Sequence, residues 1–186
     1  MSHMEEKKSQ GVPLIALKNK VLFPHEVVSL IFEREQSLFA LNNAVDESID
    51  PVFVFQKVDD HTIDPTNLYT VGTVGKIIRI WRMPEGPTGV LVEGLSPVKL
   101  DKIHETSSGL WVEYTPIEKE IYASSIEVEA LVRNITNIFK DIVNMGVSIP
   151  LAVMNEILND NVDPVTLSYL ITSCLLYTSP SPRDRQ

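Results

Sequence analysis

The residue types that enzymes use for chemistry are few in this 186-residue sequence, and they are scattered. Neither a G-x-x-x-x-G-K-[ST] loop nor a G-x-G-x-x-G turn occurs, so no nucleotide-phosphate site is expected. The G-x-S-x-G and H-E-x-x-H patterns of hydrolases are also absent. Outside the first residues, the histidines His25, His61 and His104 lie far apart, each at a predicted loop or strand end. We therefore expect no catalytic residues and no cofactor.

Two short segments carry polar groups but favour a structural interpretation. Phe23-Pro24-His25 places an imidazole with a suitable pKa for acid–base work, yet it is also typical of a corner between strands. Asp59, Asp60 and His61 offer oxygen and nitrogen ligands at short spacing. They lack the glycine and the terminal glutamate of a calcium loop, which favours a solvated acidic loop. No metal site is expected.

Cys174 is the single cysteine, so an internal disulfide and a cysteine-based zinc site are excluded. It lies on the apolar stripe of the last predicted helix, with no histidine or basic residue beside it. This position favours a buried structural thiol over a nucleophile. A lone cysteine also fits a reducing compartment.

The overall composition narrows the class of partner. Hydrophobic residues make up 44% of the chain, enough for a packed core. The net charge of −9, from 16 Lys+Arg against 25 Asp+Glu, opposes binding to phosphate backbones, so no nucleic-acid partner is expected. No apolar run reaches the ~18–20 residues that cross a bilayer, and the first residues lack the apolar stretch of a signal peptide. The expectation is a cytoplasmic protein without a membrane partner.

The two ends differ from the rest of the chain. Ser-His-Met before a second methionine is typical of a cloning remnant, so residues 1–10 are interpreted as a tag remnant and disordered lead. Residues 176–186 contain two prolines and a polar, charged end, which predicts a disordered or non-native tail.

Residues 11–122 show the pattern of a β-rich domain. Short runs rich in Val, Ile, Phe and Tyr alternate with Pro, Gly, Asp and Asn, as strands do. One helical pattern, Arg34 to Val45, interrupts them. Six short strands with one helix favour a small, closed or partly closed barrel over a parallel α/β sheet. The predicted strands are Pro13-Leu17, Val27-Phe32, Val52-Gln56, Tyr69-Trp81, Gly89-Leu100 and Leu110-Pro116.

Residues 123–175 change to a helical period. The first predicted helix begins near Ser124 or Ser125 and ends at Gly146. A second runs from about Ser148 to Leu158, and a third begins at Asp163-Pro164. The fold class is therefore α+β, a mostly antiparallel β domain followed by a small helical bundle.

Apolar side chains at predicted turns suggest a binding surface. Phe23 and Pro24 occupy one turn, while Trp81, Met83 and Pro84 flank the loop of the longest hairpin. Placed close together, these five residues would form an exposed apolar patch suited to unfolded or flexible polypeptide. The alternative is that Trp81 belongs to the core and Met83 is an isolated surface residue.

Several segments in order resemble the N-terminal domain of Lon, the ATP-dependent protease. The departures are Lys18-Asn19-Lys20, where the family has an arginine-led turn, and Ser29, where a proline is common. The resemblance spans roughly residues 12–100, and the helical stretch to about residue 173 fits the rest of that region. The matching segments are Pro13-Leu14-x-x-Leu17, Val21-Leu22-Phe23-Pro24-His25, Leu30-x-Phe32-x-Arg34-Glu35-x-Ser37, Asp64-Pro65-x-x-Leu68-Tyr69-x-Val71-Gly72-Thr73-Val74 and Val90-Leu91-Val92-Glu93-Gly94-Leu95.

The resemblance implies a PUA-like β pseudo-barrel followed by helices that lead to an AAA+ module. It implies a non-catalytic module that recruits unfolded or damaged proteins through weak apolar contacts and supports assembly of the hexameric ring. Its partners would be substrate proteins, the AAA+ module of the same parent chain and further copies, with this piece alone a monomer or dimer. Nothing similar to the AAA+ or serine–lysine protease domains of Lon occurs here, so no enzymatic activity is expected.

Three alternatives remain open. One is a purely structural oligomerisation element that braces the ring without binding substrate. Another is a free-standing Lon-like domain protein. RNA binding rests only on analogy with PUA-like folds, and the net charge of −9 opposes it.

Overall fold

The computed structural model describes residues 11–58, 63–82, 86–107, 109–118, 125–146, 149, 151–159 and 162–178. The chain divides into two units, Met1–Ile117 and Glu118–Gln186. Among the described residues, the first unit contains a six-stranded sheet with one α-helix and the second contains three α-helices, so the fold class is α+β. The predicted boundary between residues 122 and 123 lies outside the described residues.

Each predicted strand and helix of the first unit is present, and β4 and β5 are longer than the sequence pattern indicates. The second unit contains the three predicted helices. The elements are β1 (Val12–Leu17), β2 (Val27–Phe32), α1 (Glu35–Asp46), β3 (Val52–Gln56), β4 (Leu68–Arg82), β5 (Thr88–Thr106), β6 (Gly109–Pro116), α2 (Ile126–Asn144), α3 (Leu151–Ile157) and α4 (Pro164–Thr178).

The sheet is mixed but mostly antiparallel. Its strand order is β2-β5-β4-β3-β1-β6, with a further pairing of β6 to β5. Of the strand pairs in the described ranges, β1 with β3 is parallel and the others are antiparallel. Because β6 returns to β5, five strands form a closed circuit, β5-β4-β3-β1-β6. One edge of β5 pairs with β4, so its other edge is shared by β2, over Thr88–Glu93, and by β6, over Val98–Thr106.

The sequence patterns explain which strands are covered on both faces. β3 (VFVFQ) is an almost continuous apolar run and is almost wholly buried, as expected of a strand inside the domain. β2 (VVSLIF) instead alternates strictly between exposed and buried residues. Its inward residues Val28, Leu30 and Phe32 pack in a cluster with Val90 and Val92 of β5. The opposite face of β2 is therefore turned to solvent.

The helical unit has its own buried cluster. Ser125 caps α2, its Oγ accepting a hydrogen bond from the Val128 N–H at 3.1 Å, as one of the two predicted caps. Phe139 of α2 packs with Ile157 of α3 and with three residues of α4. Cys174 is one of them and is buried, as predicted. No helix in the described ranges is long and apolar enough to cross a membrane.

Candidate functional site

The turn that contains Phe23 and Pro24 docks on a glycine of β5. A Cβ on Gly94 would lie only 2.1 Å from the Phe23 carbonyl oxygen, so glycine is required for this close approach. The His25 N–H donates to the Gly94 carbonyl, and the Gly94 N–H donates to the Glu26 carbonyl, both at 2.8 Å. Pro24 is buried and Phe23 is partly buried. This turn is thus a fixed corner immediately before β2.

Polar contacts hold the corner in place. The Glu26 carboxylate, 7% exposed, accepts a hydrogen bond from the Phe23 N–H at 3.2 Å and pairs with the Lys20 ammonium at 2.9 Å. The Thr73 hydroxyl donates to the Leu22 carbonyl at 2.7 Å. His25 is exposed and has φ of +64°, a conformation that costs energy for a residue with a Cβ. Each of these contacts holds the turn in place, and none of them involves the His25 imidazole.

Trp81 lies in a different environment. It pairs with Gly89 in the β4–β5 ladder, and a Cβ on Gly89 would lie 2.1 Å from its indole ring. The indole therefore covers the backbone of Gly89. Val90 is fully buried and side chains alternate along a strand, so Trp81 and Gly89 face outward. Trp81 is partly buried on this outer face.

Three apolar residues from three adjacent strands meet on this outer face. Gly89 pairs with Trp81 on one side and with Ile31 of β2 on the other. Leu91 lies two residues further along β5, on the same face, and is partly exposed. Ile31 is 67% exposed. We call Ile31, Trp81 and Leu91 the outer patch.

Charged side chains border the outer patch. Arg79 pairs with Leu91 across the β4–β5 ladder, and the next outward pair is Lys76 with Glu93. Arg79 and Lys76 are exposed and Glu93 is partly exposed. The base of the hairpin is also tied to α1, because the Arg82 guanidinium donates to the Asn42 side-chain oxygen at 2.8 Å. An apolar centre with a charged rim is typical of protein-binding surfaces.

The structure does not bring Phe23 and Pro24 together with Trp81. The Phe23 turn packs on Gly94, which faces the same inward side of β5 as Val90 and Val92. Trp81 instead covers the outward side of Gly89. The two glycines are five residues apart along β5, which corresponds to about 17 Å along the strand. Met83 and Pro84 lie outside the described residues. Of the five residues of the predicted patch, Trp81 is the one that the described structure places on the outer face.

Sequence reasoning missed Ile31 and Leu91 as members of an apolar surface. Both residues sit in unbroken apolar runs, Leu30-Ile31-Phe32 and Val90-Leu91-Val92, so the sequence does not indicate which residue of each run faces outward. The outward direction of Ile31 follows from the alternating exposure along β2. The outward direction of Leu91 follows from its pairing with Ser29 and Arg79.

One described ionisable group has a clearly shifted pKa, and its contacts indicate a structural role. In the described part of the chain no group of three or more His, Cys, Asp or Glu residues could hold a metal ion. The pKa of Asp64 is lowered, first by the hydrogen bond from the Thr66 hydroxyl and then by that from the Thr66 N–H. Asp64 thereby caps the short turn Pro65–Asn67, a structural role. Asp59, Asp60 and His61 lie outside the described residues.

Comparisons with known proteins point to one family. A family model described as the substrate-binding domain of the ATP-dependent protease La (Lon) matches residues 11–183. A Lon protease of Xanthomonas oryzae pv. oryzae is 34% identical over 141 residues, covering 75% of this chain and 16% of that protein. The Lon protease of Escherichia coli is 30% identical over 176 residues, covering 91% of this chain and 21% of that protein. The chain thus spans about a fifth of the length of these relatives.

A solved structure shares the fold. It is the N-terminal domain of a Lon protease from the Mycobacterium avium complex, with a TM-score of 0.71 and 19% sequence identity. The match covers 94% of this chain and 87% of that one.

Proposed function

Because the chain belongs to the family of Lon substrate-binding domains, we propose that it recruits unfolded or damaged proteins for an ATP-dependent Lon protease. The chain itself is non-catalytic in this proposal, and cleavage belongs to AAA+ and protease domains of a longer parent. We further propose that the sheet of the first unit is a PUA-like pseudo-barrel and that the protein acts in the cytoplasm.

The observation that carries the proposal is the outer patch. Unfolded polypeptides differ from folded ones in exposing apolar side chains, so a receptor for them needs apolar surface of its own. Ile31 is 67% exposed and pairs with Gly89, whose outward side is covered by the indole of Trp81. An indole offers a large contact area at little cost in side-chain entropy. The charged rim at Arg79 and Lys76 keeps such a surface soluble. Met83 and Pro84 follow Trp81 in the sequence and remain predicted contacts at this surface.

Phe23 and Pro24 remain predicted contacts of a second, separate kind. Phe23 is partly exposed, while Pro24 is buried beneath the corner. The turn lies at Gly94, whereas the outer patch lies at Gly89. A single side chain of a bound peptide would therefore not contact both the turn and the outer patch. We propose Phe23 as an accessory contact for longer unfolded segments, with Pro24 holding the corner that presents it.

Weak binding at each patch suits this function. Burying one apolar side chain of a substrate contributes ~1.5–3 kcal/mol, so a patch of this size holds its ligand only briefly. We propose that six copies around a ring raise the effective concentration of binding sites, as multivalent receptors do. The ATPase of the parent protein then pulls the substrate away from any single copy.

A further observation supports a role in assembly. α2 exposes an apolar stripe at the helical spacings of four and three, formed by Leu131, Ile135 and Ile138, which are 60%, 43% and 52% exposed. We propose that this stripe contacts another copy or the AAA+ module of the parent chain. Sedimentation of the wild-type chain and of an Ile135→Glu variant would test it. A concentration-dependent dimer that the variant lacks is expected if the contact is between copies.

Site-specific photo-crosslinking tests the recruitment proposal. A photoreactive amino acid is placed at the position of Ile31, and in a matched chain at that of Ile117, which is 40% exposed and lies beyond the end of β6. Both chains are irradiated with a reduced and carboxymethylated model protein. We expect crosslinks from position 31 and few from position 117. Equal yields from both positions would remove the support for the outer patch.

A further inference from the structure

Strand β2 has a free edge along its whole length. β2 pairs with β5 on one side, and among the described residues no strand pairs with its other side. Most natural edge strands carry a charged residue, a proline or a bulge that discourages pairing with other chains. β2 has none of these between Val27 and Phe32, where its sequence is VVSLIF and its register with β5 is regular.

The hydrogen bonds before β2 establish which backbone groups point away from β5. The Gly94 N–H donates to the Glu26 carbonyl at 2.8 Å and therefore points toward β2. Because N–H groups alternate in direction along a strand, the Glu93 N–H points to β4 and the Val92 N–H points to β2. Val28 opposite Val92 is therefore a hydrogen-bonded residue, and alternation extends this to Leu30 and Phe32. The N–H and C=O groups of the remaining three residues point to the free edge. These are Val27, Ser29 and Ile31.

A cleft runs beside this edge. Its volume is about 490 Å³, and its lining includes Ser29–Arg34 on one side and Ala16–Lys20 on the other. β1 pairs with β6 only at Val12 and Pro13, and no pairing between β1 and β2 occurs in the described ranges. The sheet is thus continuous around one end through β5, β6 and β1, whereas between β1 and β2 it is interrupted. Among the described residues, no strand lies between β1 and β2 at this interruption.

We propose that the free edge of β2 binds an extended segment of a substrate protein as an added strand. The segment exchanges backbone hydrogen bonds with Val27, Ser29 and Ile31. The inference rests on the proposed function and specifies how its substrate is recognised: through its main chain, in an extended conformation.

Two features favour this occupant. Donors and acceptors that repeat every second residue along an edge are matched by another extended polypeptide. Main-chain pairing also does not depend on sequence, which suits a receptor that must take many different unfolded proteins. In the added strand, alternate side chains would fall on the outer face beside Val27 and Ile31, which are 56% and 67% exposed. Segments with apolar residues at alternate positions are therefore preferred.

The protein side of the test uses Ser29→Pro, with Ser29→Ala as its matched control. The Ser29 N–H takes no part in the ladder with β5, and proline is accepted at such edge positions. Both variants remove the hydroxyl, but only Ser29→Pro removes the edge N–H. The probe is a labelled peptide in which valine and serine alternate between terminal lysines. We expect Ser29→Pro to weaken binding about fivefold or more and Ser29→Ala to change it less than about twofold.

The ligand side of the test does not depend on the variant folding. Two peptides of the same sequence carry N-methyl groups on one or the other set of alternate residues. Because only one set faces β2, methylation of that set should abolish binding and methylation of the other should leave most of it. The proposal would be overturned if both sets of N-methyl groups weakened binding equally. It would also be overturned if neither set changed the binding of the peptide. Thermal unfolding verifies that Ser29→Pro is folded.

The outcomes separate this inference from the proposed function. If wild-type protein captures the carboxymethylated model protein but neither Ser29→Pro nor N-methylation matters, the edge proposal fails and recruitment stands. If the wild-type protein binds neither the peptide nor the unfolded protein, both fail. A wild-type dimer that Ser29→Pro converts to monomer would show that a second copy occupies the edge, which also overturns the proposal.

Discussion

Replacing Ile31 by threonine removes part of the outer patch while keeping a β-branched residue in β2. The change deletes about two CH₂-sized groups, worth ~0.8 kcal/mol each when buried. Ile31 is already about one-third covered, since it is 67% exposed, so roughly 1 kcal/mol of substrate contact is lost. This corresponds to about a sixfold weaker affinity for unfolded protein. Stability should change by less than about 0.5 kcal/mol, because the position is exposed and threonine favours strands.

The assay is fluorescence anisotropy with a labelled, reduced and carboxymethylated model protein, accompanied by thermal unfolding of each variant. Ile117→Thr is the matched control, because the same atoms are removed at an exposed site that contacts the Pro97 backbone, eight residues along β5 from Gly89. We expect its affinity to stay within twofold of wild type. A similar loss of affinity in both variants, or a large fall in the melting temperature of Ile31→Thr, would refute the assignment of Ile31 to a binding surface.

Three further changes test the structure around the site. Gly94→Ala places a Cβ 2.1 Å from the Phe23 carbonyl oxygen, so it should destabilise the first unit by about 2 kcal/mol or more in urea unfolding; a neutral result would contradict the close docking of the corner. His25→Gly relieves a positive φ that costs ~1–2 kcal/mol, offset by ~0.5–1 kcal/mol of glycine entropy, so stability should rise slightly; a decrease would mean that the imidazole makes a stabilising contact. The pKa of Asp64 is lowered by the hydroxyl and the N–H of Thr66, so its contribution to stability is present above the unfolded pKa of about 3.9 and is lost as the pH falls through the folded value. Unfolding curves below pH 4 should therefore show a smaller pH dependence for Asp64→Asn than for wild type, and identical curves would exclude this contribution.

Local patterns were sufficient to predict the elements of this fold. Short runs rich in Val, Ile and Phe identified β2 and β3, and a serine before an acidic first turn located the start of α2. Each of these signals lies within a few residues of the element that it predicts. They also predicted that Cys174 is buried on the apolar side of α4, because helical spacing alone determines which residues share a face.

The candidate site could not be predicted in the same way, because it depends on pairings between distant segments. Simple alternation along β4 places Ile77 and Trp81 on the same face. A register shift between Ile77 and Arg79 changes this parity, so Ile77 packs toward the core while Trp81 faces outward. The sequence carries no local mark of that bulge. The docking of Phe23 on the inward side of Gly94 is likewise a long-range contact with no periodic signal.

Selective capture of unfolded protein is the most direct test of the central claim. The wild-type chain is titrated against one model protein in two forms, native and permanently unfolded by reduction and carboxymethylation, and the anisotropy of the labelled model protein is followed. The proposed function predicts saturable, weak binding of the unfolded form and no binding of the native form. Absence of binding to the unfolded form, or equal binding of both, would contradict it.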